Sequence, residues 1–242
     1  MSDGTLVLHY QPIVRISSGE VVGAEALCRW LTPMGIKTPM MFLPFLSGCI
    51  LQEVCLYLAK IACREARELP IWVSINLNPS PINDGDFVKT LAKVLSDNQG
   101  CGQLVLELTE EAAFDNYALI TLRELGYPIA IDDWGTGWSN LFSLITYQPE
   151  IIKLDKQLTS GIAVSNIHAE VVIFALHMAS RMGIHVIAEG IETEGQVRFL
   201  GANGCTYGQG WYWSKALSLE SLKLLINSQG VNNVLQESIF RN

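Results

Sequence analysis

Ile129-Ala130-Ile131-Asp132-Asp133-Trp134-Gly135-Thr136-Gly137 opens on three apolar residues and ends on two glycines, with adjacent carboxylates at its centre. The apolar run predicts a buried strand that stops at the glycines. Neighbouring strand residues point to opposite faces, so Asp132 and Asp133 can converge on one site only where the strand breaks into a turn. Two carboxylates held together resist ionising. A divalent cation removes that objection, since hard cations take oxygen ligands. A solvated Asp-Asp turn before glycine is the other reading of this segment alone.

Outward from this strand, the pattern alternates short apolar runs with helical segments. Strands are expected at residues 6–9, 21–28, 71–77, 104–108, 128–132, 151–154, 184–188 and 204–207. Helices are expected at 51–68, 87–97, 116–125, 169–182, 194–200 and 219–226. Leu51, Val54, Cys55, Leu58, Ile61 and Ala62 form a stripe of 3.6-residue period. Ser218 can cap the last helix, with Glu220 in its first turn. The fold class implied is α/β, a (β/α)8 TIM-like barrel. The first two strands are joined by only residues 10–20, too short for a helical crossover, so the first strand is expected to be antiparallel.

The totals agree. The chain has 242 residues, close to the roughly 250 of a typical barrel, and residues 1–242 are read as a single domain, with 227–242 a polar tail. Apolar residues make up 49% and charged residues 17%, enough for a large core. A net charge of −8 and no basic run argue against duplex nucleic acid as partner. An anionic substrate stays compatible if metals supply the positive field. The six cysteines form no Cys-x-x-Cys pair, which disfavours zinc and redox motifs. With no secretory signal evident, a reducing, cytoplasmic setting is expected, or the cytoplasmic part of a larger membrane protein. The most apolar stretch, residues 40–51, is shorter than the ~20 residues of a membrane span and is interrupted by Pro44 and Gly48. No transmembrane segment is expected.

Polar residues recur at the strand ends: Glu25, Asn76, Glu107, Asp132 with Asp133, Lys153, Glu189 and Gln209. A charge within an apolar strand is costly unless paired or metal-bound. One such residue is explained by an interior salt bridge. Seven strands each carrying one, on the face where barrel active sites lie, point to a site. Five carboxylates, two amides and a lysine, with no His or Cys, suit Mg²⁺ or Mn²⁺ and not zinc.

At these residues the chain resembles the EAL domains, bacterial cyclic di-GMP phosphodiesterases. The signature stands as Glu25-Ala26-Leu27, continuing to Arg29-Trp30. Further matches are Tyr10-Gln11-Pro12-Ile13, Asn76-Leu77, Glu107-Leu108-Thr109-Glu110, Asp132-Asp133-Trp134-Gly135-Thr136-Gly137, Lys153-Leu154-Asp155, Ala188-Glu189-Gly190-Ile191-Glu192-Thr193 and Gln209-Gly210, spanning about Leu6 to Leu219. The resemblance implies hydrolysis of cyclic di-GMP to linear pGpG by in-line attack of a metal-activated water, with two divalent cations, Mg²⁺ or Mn²⁺, about 4 Å apart. It implies that Glu25, Asn76, Glu107 and Asp132 hold one metal, that Asp132 and Asp133 help hold the second, and that Glu189 completes the site. Glu25, Lys153, Glu189 and Gln209 would be catalytic. Lys153 would orient or deprotonate water, with a pKa depressed beside the cations; charge balance is its alternative role. Gln11, Leu27, Arg29, Asp155 and Gln209 would contact substrate. Glu110, Gly135, Thr136 and Gly137 would anchor the loop that links the site to a homodimer interface. A sensor or regulatory domain outside this chain is a further implied partner. The alternative is a catalytically silent receptor that binds cyclic di-GMP without cutting it.

The chain departs from the family at Trp134 and Trp138, where Phe and Tyr are usual, at Asn78 for serine, and at Ala216 for proline. Residues 38–51 depart most, replacing an acidic helix start by an apolar segment. Its residues are expected to pack against the barrel, or else to form a partner-docking surface.

Overall fold

A computed structural model describes residues 4–97, 103–109, 116–135 and 141–230. Eight strands close a barrel: β1 (Thr5–Arg15), β2 (Val21–Thr32), β4 (Trp72–Asn76), β5 (Leu104–Thr109), β6 (Ile129–Trp134), β7 (Ile151–Leu154), β8 (His185–Ala188) and β9 (Tyr207–Gln209). A short β3 (Gly35–Lys37) forms a hairpin on the end of β2. β1 pairs antiparallel with both β2 and β9, closing the ring, and the other neighbours in the ring are parallel. The antiparallel first strand follows from a link even shorter than expected, because β1 continues to Arg15 and leaves only residues 16–20.

Helices α1 (Gly48–Ala66), α3 (Gly85–Asp97), α4 (Asn116–Glu124), α7 (Asn166–Met182), α8 (Glu194–Ala202) and α9 (Leu219–Ser228) lie on the segments expected. Ser218 caps α9, its hydroxyl accepting from the Ser221 N–H, with Glu220 in the first turn. α2 (Pro79–Ile82), α5 (Leu141–Tyr147) and α6 (Lys156–Gly161) were not legible, being too short to show a period. The last strand lies later than expected. Gly204 adopts φ +82° in the turn after α8, so pairing begins only beyond it.

Barrel packing explains where the site sits. Ile13, Val22, Trp72, Val105, Ala130, Ile151, Ile187 and Tyr207, one from each barrel strand, form a buried interior layer. Trp72 fills its middle, and a side chain at Gly23 would overlap the indole. Side chains return to the same face every second residue. One step towards the strand C-termini, the inward positions are therefore Ser74, Glu107, Asp132, Lys153, Glu189 and Gln209, with Gln11 on antiparallel β1 and Glu25 beyond Gly23. The period that stacks an apolar floor also lifts a polar layer onto it. A separate, larger apolar core joins the outside of the barrel to the helices.

The altered segment 38–51 is largely surface. It forms two 3₁₀ turns, Pro39–Met41 and Leu43–Phe45, leading into α1. Phe42 is buried and meets Trp30 edge-on, but Met40 is 82% and Phe45 83% exposed. Packing against the barrel accounts for Phe42 and Leu51 only in part of a segment that otherwise faces outward. No helix among the described residues is long and apolar enough to cross a membrane.

Candidate active site

The adjacent aspartates converge without the strand ending. β6 runs through both of them to Trp134, but its pairing with β7 shifts register between Ile131 and Trp134. Asp133 takes φ +54°, the left-handed region that Asp tolerates better than most residues. This bulge turns two consecutive side chains towards one site, a common use of bulges near active sites. Gly135 follows with φ +101°.

Lys153 is the centre of the polar layer. Its Nζ, fully buried, lies 2.8 Å from Glu189 Oε1, 2.9 Å from Asp132 Oδ1, 3.1 Å from Glu107 Oε2 and 3.4 Å from Glu25 Oε2. Burial pulls its pKa down, but the four carboxylates more than reverse this, so the ammonium is held well above its ordinary value. This is the direction without cations; the depressed pKa expected for Lys153 belongs to a site in which divalent cations take over the carboxylates. Four partners that gain from its charge outweigh the cost of burying it.

The carboxylates show the strain of sharing one cation. Burial, relieved by Lys153 and reinforced by Glu25 and Asp132, pushes Glu107 well above the carboxylate range. Burial, with Asp132 and Glu25 behind it, pushes Glu189 up to about 8. Asp133 rises to about 6 through burial and then the charges of Asp132 and Asp155.

Among the described residues, two groups of carboxylates have oxygens close enough to share an ion: Glu25 with Glu107 and Asp132, and Asp132 with Asp133 and Glu189. Asp132 belongs to both. Glu107 Oε1 is buried and lacks a hydrogen-bond partner, an acceptor that a cation would satisfy. An all-oxygen set with excess negative charge fits hard divalent cations. Asn76 donates from Nδ2 to Glu25 Oε1 at 2.9 Å, which places its side-chain amide beside the first group. Gln209 Nε2 donates to Glu25 Oε2 at 2.7 Å and to Gln11 Oε1 at 3.1 Å.

These residues open onto a cavity of about 390 Å³ lined by Gln11, Glu25, Leu27, Asp132, Asp133 and Glu189, together with Gln209, Lys156 and Trp211. Arg29 and Asp155 lie outside that lining. Arg29 Nη1 donates to the Cys28 carbonyl at 2.7 Å. Asp155 caps α6, accepting from the Gln157 N–H at 2.7 Å. Glu110, Thr136 and Gly137 lie outside the described residues, as does Trp138. Sequence reasoning missed Lys156 and Trp211. Each sits next to a matched block, after Asp155 and Gly210, and that adjacency was the signal available.

A family model described as the EAL domain matches residues 1–216. The chain is 33% identical over 232 residues to a cyclic di-GMP phosphodiesterase of Pseudomonas aeruginosa, covering 89% of this chain and 39% of that one. It is similar to a structure described as the EAL enzyme Bd1971 in its cAMP and cyclic di-GMP bound form, with a TM-score of 0.85 and 30% identity, over 91% of this chain and 64% of the other. It is also similar to Klebsiella pneumoniae BlrP1 in a manganese and cyclic di-GMP complex, with a TM-score of 0.76 and 28% identity, over 89% of this chain and 59% of the other. The chain thus spans well under half the length of the curated relative.

Proposed function

The chain belongs to the EAL domain family, and from that premise we propose that it is a cyclic di-GMP phosphodiesterase, a single barrel that opens one phosphodiester of the ring to give linear pGpG. The observation that carries this reading is the pair of carboxylate groups sharing Asp132 at the C-terminal mouth of the barrel. Glu25, Asn76, Glu107 and Asp132 would hold one divalent cation, and Asp132, Asp133 and Glu189 a second. Mg²⁺ or Mn²⁺ there would supply the positive field that an in-line displacement at a phosphodiester requires.

The chain's own groups prepare that reaction. Lys153 would orient or deprotonate the attacking water, and its charge balances the carboxylates around it. Gln209 holds Glu25 through its amide and ties it to Gln11. Leu27 and Gln11 bound the cavity where substrate would sit. Arg29 and Asp155 would contact substrate through their remaining polar atoms, since the hydrogen bonds of Arg29 Nη1 to the Cys28 carbonyl and of the Gln157 N–H to Asp155 Oδ1 engage one atom of each.

The test is incubation of the purified chain with cyclic di-GMP and Mg²⁺ or Mn²⁺, with chromatography of the products. The expected result is pGpG, abolished by chelator and reduced by at least ~10³-fold in Glu25→Ala, a loss of about 4 kcal/mol at the transition state. Undiminished turnover in that variant would sink the site assignment. Binding of cyclic di-GMP without turnover, independent of metal, would move the chain to the receptor class.

A homodimer is part of the same proposal. Ile167, Val171 and Phe174, spaced by four and three residues on α7, are 75%, 40% and 59% exposed, and Leu141 and Ile145 of α5 are 50% and 63% exposed. An apolar stripe of this spacing suits packing against a second helix. Sedimentation is expected to give a dimer at tens of micromolar in wild type and a monomer in Phe174→Glu. Wild type found only as monomer counts against it.

A further inference from the structure

We infer that the apolar cavity between β2 and the first half of α1 is a binding site for a small neutral amphiphile with an alkyl chain of about ten carbons. The helix packs unevenly. Ala59, Ile61, Ala62, Cys63 and Ala66 are buried, but Val54, Cys55 and Leu58 of the same apolar face are only half-buried. The cause is local. Residues 26 and 28 of β2 alternate with Glu25 and Leu27 and so face the helix. They are Ala26 and Cys28, and α1 meets them with Cys55 and Ala59, so small side chains leave a space of about 390 Å³. Leu8 and Ile75 close its barrel side, and Pro39, Met40 and Leu43 of the 3₁₀ turns roof it.

An empty space of this kind is costly. Its lining forgoes dispersion contacts, and water gains little where few polar partners face it. Among the described residues, no charged side chain lines the cavity. Burial pushes the Cys28 and Cys55 thiols each up to about 11, so both stay neutral. The matching occupant is apolar and uncharged. Its shape follows from the walls. Leu51, Val54, Cys55, Leu58 and Ala59 all face the space, which extends it along about 12 Å of the helix axis. A volume of about 390 Å³ takes about 13 groups of roughly 30 Å³ each. A space that long at that volume suits a single extended chain. Met40 in the roof is itself mostly exposed, which leaves a way in. Asn78 and Thr109 also border the cavity and offer hydrogen bonds to a hydroxyl head group. Leu27 and Asn76 border it too, so the occupant lies against the strands that carry the proposed metal site.

Isothermal titration of the purified chain with straight-chain alcohols, from hexan-1-ol to dodecan-1-ol, tests the site. Binding is expected to tighten about fourfold per added methylene up to decan-1-ol and then to level off, with a negative heat-capacity change. Cys55→Phe fills the space and is expected to weaken decan-1-ol binding about 10-fold or more while the melting temperature holds or rises. A second readout needs no variant. Decan-1-ol is expected to slow N-ethylmaleimide labelling of Cys55 in wild type, followed by peptide mass spectrometry, and to leave labelling of the exposed Cys49 unchanged. No binding of any alcohol, or labelling of Cys55 at one rate with and without it, would overturn the site. So would undiminished binding in Cys55→Phe, or tighter binding of ionised decanoate than of decan-1-ol. Co-sedimentation with phosphatidylcholine vesicles but no binding of the free alcohol would overturn it in favour of a bilayer surface for Met40 and Phe45. None of these readouts uses cyclic di-GMP, so failure here leaves the phosphodiesterase reading intact.

Discussion

Lys153→Met is expected to cut turnover by at least ~10³-fold and, in chelator at neutral pH, to lower stability by about 3–5 kcal/mol, the cost of leaving buried charge unpaired. The lysine is fully buried and is the shared partner of Glu25, Glu107, Asp132 and Glu189, all within 3.4 Å. Methionine preserves most of the volume, so the loss reads the charge and not a cavity. Part of the cost is absorbed if Glu107 and Glu189 take up protons, as their raised pKa values already favour. The loss should thus be smaller at pH 5 than at pH 8. Millimolar Mg²⁺ should restore stability, because cations replace the missing charge. Denaturant melts with and without chelator check the first effect and product chromatography the second. Wild-type stability in chelator would show that the four contacts do not hold the layer together. Near-wild-type turnover with Mg²⁺ would show that the ammonium serves only to balance charge.

A second large effect concerns pH and metal together. In chelator, wild type is expected to lose stability as pH rises from about 4 to about 8. Asp133 and Glu189 have folded pKa values of about 6 and about 8, raised from ordinary values of 3.8 and 4.5. The folded state therefore binds more protons than the unfolded chain across that window, and unfolding releases them. A raised carboxylate contributes stability that is present below its unfolded pKa and is lost as pH climbs through its folded pKa. Lys153, raised from 10.5, opposes none of this, because its own contribution is lost only above that value. The melting temperature should fall by about 5 °C or more between the two ends of the window. Divalent cations reverse the sign of the problem. They favour the ionised carboxylates, so millimolar Mg²⁺ or Mn²⁺ should raise the melting temperature far more at pH 8 than at pH 5. Thermal melts at the two pH values, with chelator and with metal, decide it. A chelated protein that is more stable at pH 8, or metal stabilisation that is equal at both, would mean the carboxylates do not repel one another as their positions require.

Reading the chain without its structure reached the barrel because period two and period 3.6 alternate visibly along it. It reached the antiparallel first strand because a short link cannot hold a crossover. The charged residues at strand ends were legible one at a time, since a carboxylate inside an apolar run has few inexpensive explanations. α5 and α6 were not legible, because six or seven residues show no phase. The expected turn at Asp132-Asp133 was resolved by a bulge, which depends on the register against β7 and leaves no local mark except the following glycine.

What the amino-acid sequence determined by itself was the run of barrel strands along the chain, apart from the exact place of the last, and the polar residues at their ends, because side-chain alternation is a local property of the chain. What only the tertiary structure decided was which carboxylates meet. Closing the ring brings Lys153 between Glu25, Glu107, Asp132 and Glu189 from four other strands, and it fixes the direction of each pKa. It also brings the Trp211 turn against Ile191 and into the same cavity. Contacts of this site join residues 198 positions apart, as between Gln209 and Gln11, and no local pattern records them. The reason is physical: burial and Coulomb energy depend on distance in space, and distance in space is set by barrel closure.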